Sequence, residues 1–303
     1  MTSRGDKAFM DDTLPFRQLR VVASVAAALF AFCMLQAFSP DEARADGTKV
    51  FRLGDRKTIR FEQMIRDLKK ADLVFIGETH DSEMHHRIQL EIIKALAKSG
   101  VPLAAGFEMF TAESQNDLNE WEAGTLPLDH FLRIYYKNWG FPWPLYRDIL
   151  LYVKDNKIPA IGLNLPPEIP QKVASSGFSS LTKEELEKLP PETGCVVDEQ
   201  YMKFIRRAYA MHGHENKRFL YFCEAQLLWD GVMARNLVKF VKKNPGRTVV
   251  VLTGNGHAWK RGIPEEISGL SPKISYRVVL PYIRGYIDPK DISIEDADYI
   301  VLE

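Results

Sequence analysis

Cysteine is scarce in this chain: three in 303 residues, at positions 33, 195 and 223, with no C-x-x-C and no C-x-x-C-H. Their spacing excludes thioredoxin-like redox chemistry and covalent c-type haem attachment. A surplus of charge is also missing, with 40 basic and 40 acidic side chains, so nothing electrostatic favours nucleic acid as a partner. No serine or cysteine sits in a nucleophile elbow, which disfavours serine-hydrolase chemistry. There is no Walker spacing, no HExxH pair, no internal repeat and no low-complexity tract.

What is present is material for a large core, since 46% of residues are hydrophobic and 26% charged. That length and composition suit one α/β domain carrying a smaller appendage. The first 45 residues stand apart. Arg17 and Arg20 precede an apolar run from Val21 to Phe38, and Ala43–Arg44–Ala45 has the small-x-small form of a signal-peptidase site. Residues 1–45 are read as a signal peptide or an N-terminal anchor, and the mature chain is expected in the periplasm or at a membrane. Phe32 before Cys33 is too bulky for a lipid-modification site, so a lipoprotein is not expected. Export would let Cys195 and Cys223 pair, or leave them as two buried thiols.

Beyond the leader, short apolar runs alternate with helical patterns. Leu73–Ile76 reads as a buried strand, followed by a helix capped by Asp81 or Ser82 on which Ile88, Ile92 and Leu96 share a face. Pro102–Met109 is the next strand, and Thr111–Trp121 a helix. The aromatic stretch from Tyr135 to Tyr146 reads as loop-rich. A helix over 145–156 leads to a strand over Ile158–Leu163. From 166 to 244 only helices are predicted, among them 218–243. Thr248–Leu252, Ser275–Leu280 and Tyr299–Leu302 complete the strands. This predicts an α/β fold, a mainly parallel sheet flanked by helices, with residues 46–165 and 245–303 forming the α/β domain and 166–244 a smaller all-helical insertion.

Four of these strands end directly in polar residues: Glu78 with His80, Glu108, Asn164 and His257. Parallel strands bring their carboxyl ends to one rim, where open α/β sheets place ligands. Two carboxylates and two imidazoles there suit general acid–base activation of water. With His86 added, the donor types also suit a divalent metal such as zinc, or iron, although no standard spacing matches. His85 is in phase with packed isoleucines, whereas His86 shares a face with Gln89 and is expected near His80. Gln226 and Asp230 form a polar stripe on an apolar helix and are expected to face the same rim. Tyr209, His212 and His214 close the preceding helix; they could ligate haem iron or simply complement a helix end.

Taken together, the segments VFIGETHD from Val74, HRIQ from His86, GFEM from Gly106, EAQLLWDGVMA from Glu224 and TGNGH from Thr253 resemble the ChaN family. The resemblance runs from about Val74 to Ile267. It implies an exported haem-binding protein of iron uptake, a parallel α/β domain with a smaller helical one, and haem held at a homodimer interface. An outer-membrane haem-uptake machinery is the implied partner. It also implies kinship with erythromycin-esterase-like proteins, whose active-site positions here are Glu78, His80, Glu108 and His257. A tyrosine with histidine nearby is the implied haem ligation, for which Tyr209, His212 and His214 stand as candidates. The alternative function is a hydrolase whose Glu/His rim activates water against an ester-like or amide-like bond.

Overall fold

The strands Leu73–Glu78 (β3) and Thr248–Gly254 (β6) are buried along their whole length, and they pair in parallel through Leu73↔Val249 to Glu78↔Gly254. A strand apolar on both faces needs cover on both, and alternation decides which residue goes where. Val74, Ile76, Val250 and Leu252 face one apolar cluster, whereas Leu73, Phe75, Val249 and Val251 face the other. The structure, a computed structural model, describes residues 47–191 and 217–302, together with positions 193, 197, 199, 202, 205 and 206.

Six strands form the parallel body of the sheet: β3, β6, Leu103–Thr111 (β4), Ala160–Asn164 (β5), Tyr276–Pro281 (β7) and Tyr299–Leu302 (β8). The hairpin of Lys49–Arg52 (β1) and Lys57–Arg60 (β2) adds an antiparallel edge beside β8. The spatial order is β2-β1-β8-β7-β3-β6-β4-β5. Strand β6, late in the chain, thus lies between β3 and β4. Glu83–Lys98 (α1) follows β3, with the Ser82 hydroxyl accepting from the His85 N–H at 3.3 Å. Among the described residues no helix is long and apolar enough to cross a membrane.

The helix Lys217–Lys243 (α2) serves two layers. Its later part places Met233 and Leu237 on the sheet, in one cluster with Ile161 and Leu163 of β5. Its earlier part places Ala225, Leu228 and Val232 against Ile169 and Val173 of the helix Glu168–Ser176. Between these helices lies the short helix Lys183–Glu187, opened by a capping box of Thr182 and Glu185.

Two local expectations are corrected. Tyr135 and Tyr136 lie in a helix, Leu128–Asn138, not in a loop. Its buried Phe131 and Tyr135 are four apart, and Phe131 stacks on Trp121 at 3.9 Å. Strand β4 does not stop at Glu108 but bulges and runs on to Thr111, whose N–H donates to Asn138 Oδ1 at 3.0 Å.

Candidate functional site

Glu78 is the last residue of β3 and is 2% exposed. Its Oε1 faces His80 Nδ1 at 2.5 Å and accepts the Tyr146 hydroxyl at 2.9 Å. Its Oε2 lies 3.4 Å from His86 Nε2. Burial alone would raise the Glu78 pKa, but hydrogen bonds and charge from His80 and His86 hold it at about 2. An ionised carboxylate only accepts, so His80 carries its proton on Nδ1. Burial lowers the His80 pKa, yet the Glu78 hydrogen bond and the Glu108 and Glu78 charges outweigh it and leave the value raised.

A second dyad stands beside the first. His257, from the one-turn helix Asn255–Ala258 that follows β6, meets Asp230 of α2 at 2.6 Å between Nδ1 and Oδ1. Burial pushes this imidazole's pKa down, but the Asp230 and Glu108 carboxylates carry it up to about 9. Glu108 lies between the dyads: its Oε1 is 3.7 Å from His257 Nε2, and its Oε2 accepts the Gly254 N–H at 2.7 Å. A side chain at Gly254 would put its Cβ 2.9 Å from His80 Cε1 and 3.8 Å from Glu108 Oε2. Glycine there lets the first imidazole lie across the end of β6.

The predicted residues are placed as follows. Glu78, His80, Glu108, His257 and Asp230 come together. Asn164 abuts them, donating from Nδ2 to the Glu108 carbonyl at 3.0 Å. His86 is buried, with Nε2 3.4 Å from Glu78 Oε2 and its ring 4.2 Å from that of Tyr146, so it reaches the carboxylate that also holds His80. Gln226, one turn before Asp230, is half-buried. His85 packs as expected but also accepts the Thr79 N–H at 3.0 Å, fixing the turn that carries His80. Tyr209, His212, His214 and Cys195 lie outside the described residues; Cys223 is buried, and burial raises its thiol pKa to about 12.

Sequence reasoning missed Tyr146, Trp139 and Phe141 as site residues. Trp139 and Phe141 set their rings 4.9 and 5.0 Å from His80, forming an aromatic wall. The density of aromatic residues over 135–146 was the available signal. The divalent-metal reading is not supported. His80 and His86 address different oxygens of Glu78, while His257 sits with Asp230 and Glu108. Among the described residues no group of three or more His, Cys, Asp or Glu is arranged to hold a metal ion.

The mainly parallel sheet flanked by helices is a fold shared with known haem-binding proteins. The family model described as "Haem-binding uptake, Tiki superfamily, ChaN" matches residues 64–267. The chain belongs to this family of haem-binding uptake proteins. The structure of cofacial haem binding to ChaN of Campylobacter jejuni superposes with a TM-score of 0.67 at 24% identity, over 84% of this chain and 96% of that one. An erythromycin esterase, EreC, in its open conformation matches at 14% identity and a TM-score of 0.48, over 77% of this chain and 76% of that one. Protein RETICULATA-RELATED 5, chloroplastic, of Arabidopsis thaliana is 26% identical over 235 residues, 70% of this chain. The match spans only 31% of that relative's length.

Proposed function

We propose that this chain is an exported protein, periplasmic or membrane-associated, that binds haem for iron acquisition. The observation that carries this reading is the family match over residues 64–267, which includes the whole of the helix-only region. Haem, when bound, brings an iron that needs axial donors, and phenolate and imidazole both serve. Tyr209, His212 and His214 supply that donor set between the described Arg206 and Lys217. The described residues on either side of that tract meet, with Arg206 over the Phe219 ring at 5.0 Å. That place is apolar, with Ile205, Phe219 and Cys223 in one cluster and Leu220 exposed. A homodimer holding haem at its interface and an outer-membrane uptake machinery as partner complete the proposal.

The test is a haemin titration followed by Soret absorbance, with sedimentation to read oligomeric state. Saturation at a defined stoichiometry, shifted or lost in one of Tyr209→Phe, His212→Ala or His214→Ala, supports the reading. Absence of saturation refutes it.

A second reading is favoured by the two carboxylate–imidazole dyads: the rim activates water against an ester-like or amide-like bond. The His80 side chain is 31% exposed against 11% for His257, so His80 is the imidazole within reach of a substrate. It takes a proton from water as the oxygen attacks the carbonyl carbon, then returns that proton to the leaving group. His257, held protonated, supplies positive charge to the developing oxyanion. His80→Ala should abolish hydrolysis and leave the Soret band intact. Loss of the Soret band in that variant would mean that the rim itself holds haem.

A further inference from the structure

A cleft of about 470 Å³ opens beside the rim, lined by none of Glu78, His80, Glu108 or His257. That volume is within the range of small-molecule sites. One wall is a single face of α2, since Val232, Arg235, Asn236 and Lys239 follow the i, i+3, i+4, i+7 spacing. The opposite wall is the Lys188–Pro191 segment, and the end is closed by residues just beyond β4 and β5. The cleft therefore lies at the carboxyl ends of parallel strands.

Its chemistry is divided. Leu165, Leu189 and Val232 are buried and give an apolar floor. Three cations, Lys188, Arg235 and Lys239, line the cleft against one carboxylate, Glu113, in a chain of zero net charge. Arg235 is structural in part: it donates to the Pro191 carbonyl at 3.1 Å and the Gly231 carbonyl at 3.3 Å, with Glu266 nearby. It ties the two walls together and leaves the exposed Lys188 and Lys239 as the reaching charges. The two lining amides are already engaged. Asn164 donates to the Glu108 carbonyl and accepts the Leu165 N–H at 2.8 Å, and Asn236 donates to the Leu163 carbonyl at 2.7 Å. With much of the amide capacity committed, charge and apolar contact are what the cleft chiefly offers a ligand.

We propose that this cleft binds an amphipathic anion, a carboxylate or phosphate ester carried on an apolar group. The acid pairs with Lys188 and Lys239, and its apolar part lies on the leucine and valine floor. The test is calorimetry on the full protein at low salt with octanoate and octyl phosphate, using octanol and octylammonium as controls. Saturable one-to-one binding of either acid, with none of the controls, supports the site, and the acid preferred names the headgroup. Lys188→Gln with Lys239→Gln should weaken binding at least tenfold while leaving the urea midpoint unchanged, because both side chains are exposed. Ala112→Trp, placed at the exposed end of the cleft, should block it by volume alone. Equal binding of octanol and octanoate, unchanged affinity in the double variant, or no binding of either acid would each overturn the proposal.

Discussion

Replacing Asp230 by asparagine keeps the shape of the second dyad and removes its charge. His257 is ordinarily near 6.5 and stands at about 9 in the fold, with Asp230 and Glu108 as the causes that raise it. A raised histidine adds stability that is fully present below pH 6.5 and is lost as pH climbs toward 9. The difference of about 2.5 pH units, at about 1.36 kcal/mol each, makes that contribution about 3 kcal/mol. Glu108 Oε1 remains 3.7 Å from His257 Nε2 in the variant, so part of the effect survives. Urea unfolding at intervals from pH 6 to 10 measures it. The wild type should lose stability across 6.5–9 more steeply than Asp230→Asn, and the two curves should converge toward pH 10. Parallel curves across that window would refute the assignment of a charged His257 held by Asp230.

Glu78, ordinarily near 4.5 and held at about 2, has the opposite sign: its contribution is present above pH 4.5 and should disappear as pH falls toward 2, read as an acid limb in the same unfolding series. Tyr146→Phe removes the hydroxyl 2.9 Å from Glu78 Oε1 and should cost about 1.5–3 kcal/mol, measured by urea midpoint at pH 7. Gly77→Ala places a Cβ 2.5 Å from Asn255 Oδ1 and 2.8 Å from Leu280 Cδ2, and should destabilise by about 1–3 kcal/mol in the same assay. Trp121→Ala, which empties a stacked and 1% exposed core position, should cost about 3–5 kcal/mol and lower the thermal midpoint.

The rim was legible because each strand stops being apolar where its chemistry begins. Glu78, His80 and His257 all follow β-branched or aromatic runs, and the i, i+4 stripe on an apolar helix pointed to Asp230. Strand identity was legible for the same reason: a run buried on both faces has no polar alternation to confuse it. Tyr146 was not legible as a partner of Glu78, because it arrives from 68 positions away through the register of a helix that its own pattern does not aim. Helical phase put His86 on the face turned toward His80, and the carboxylate of Glu78 stands between the two imidazoles, a detail that phase alone does not contain. The extension of β4 to Thr111 depends on Asn138, a contact 27 residues distant that local propensity does not contain.

The strand order also carries a temporal consequence. Among the described residues β3 pairs with β6 on one side and β7 on the other, so both its partners are made from Thr248 onward. Synthesis at roughly 5–20 residues per second leaves roughly 8–34 s between Glu78 and Thr248. Throughout that interval the nascent chain carries a six-residue strand, four of its residues apolar, with both ladder edges bare, the condition under which strands find foreign partners. The β1–β2 hairpin and the β4–β5 pair have their partners early. The sheet is therefore completed at its middle last, and a ribosomal pause or premature stop before Thr248 releases a chain whose central strand is the part most prone to aggregate.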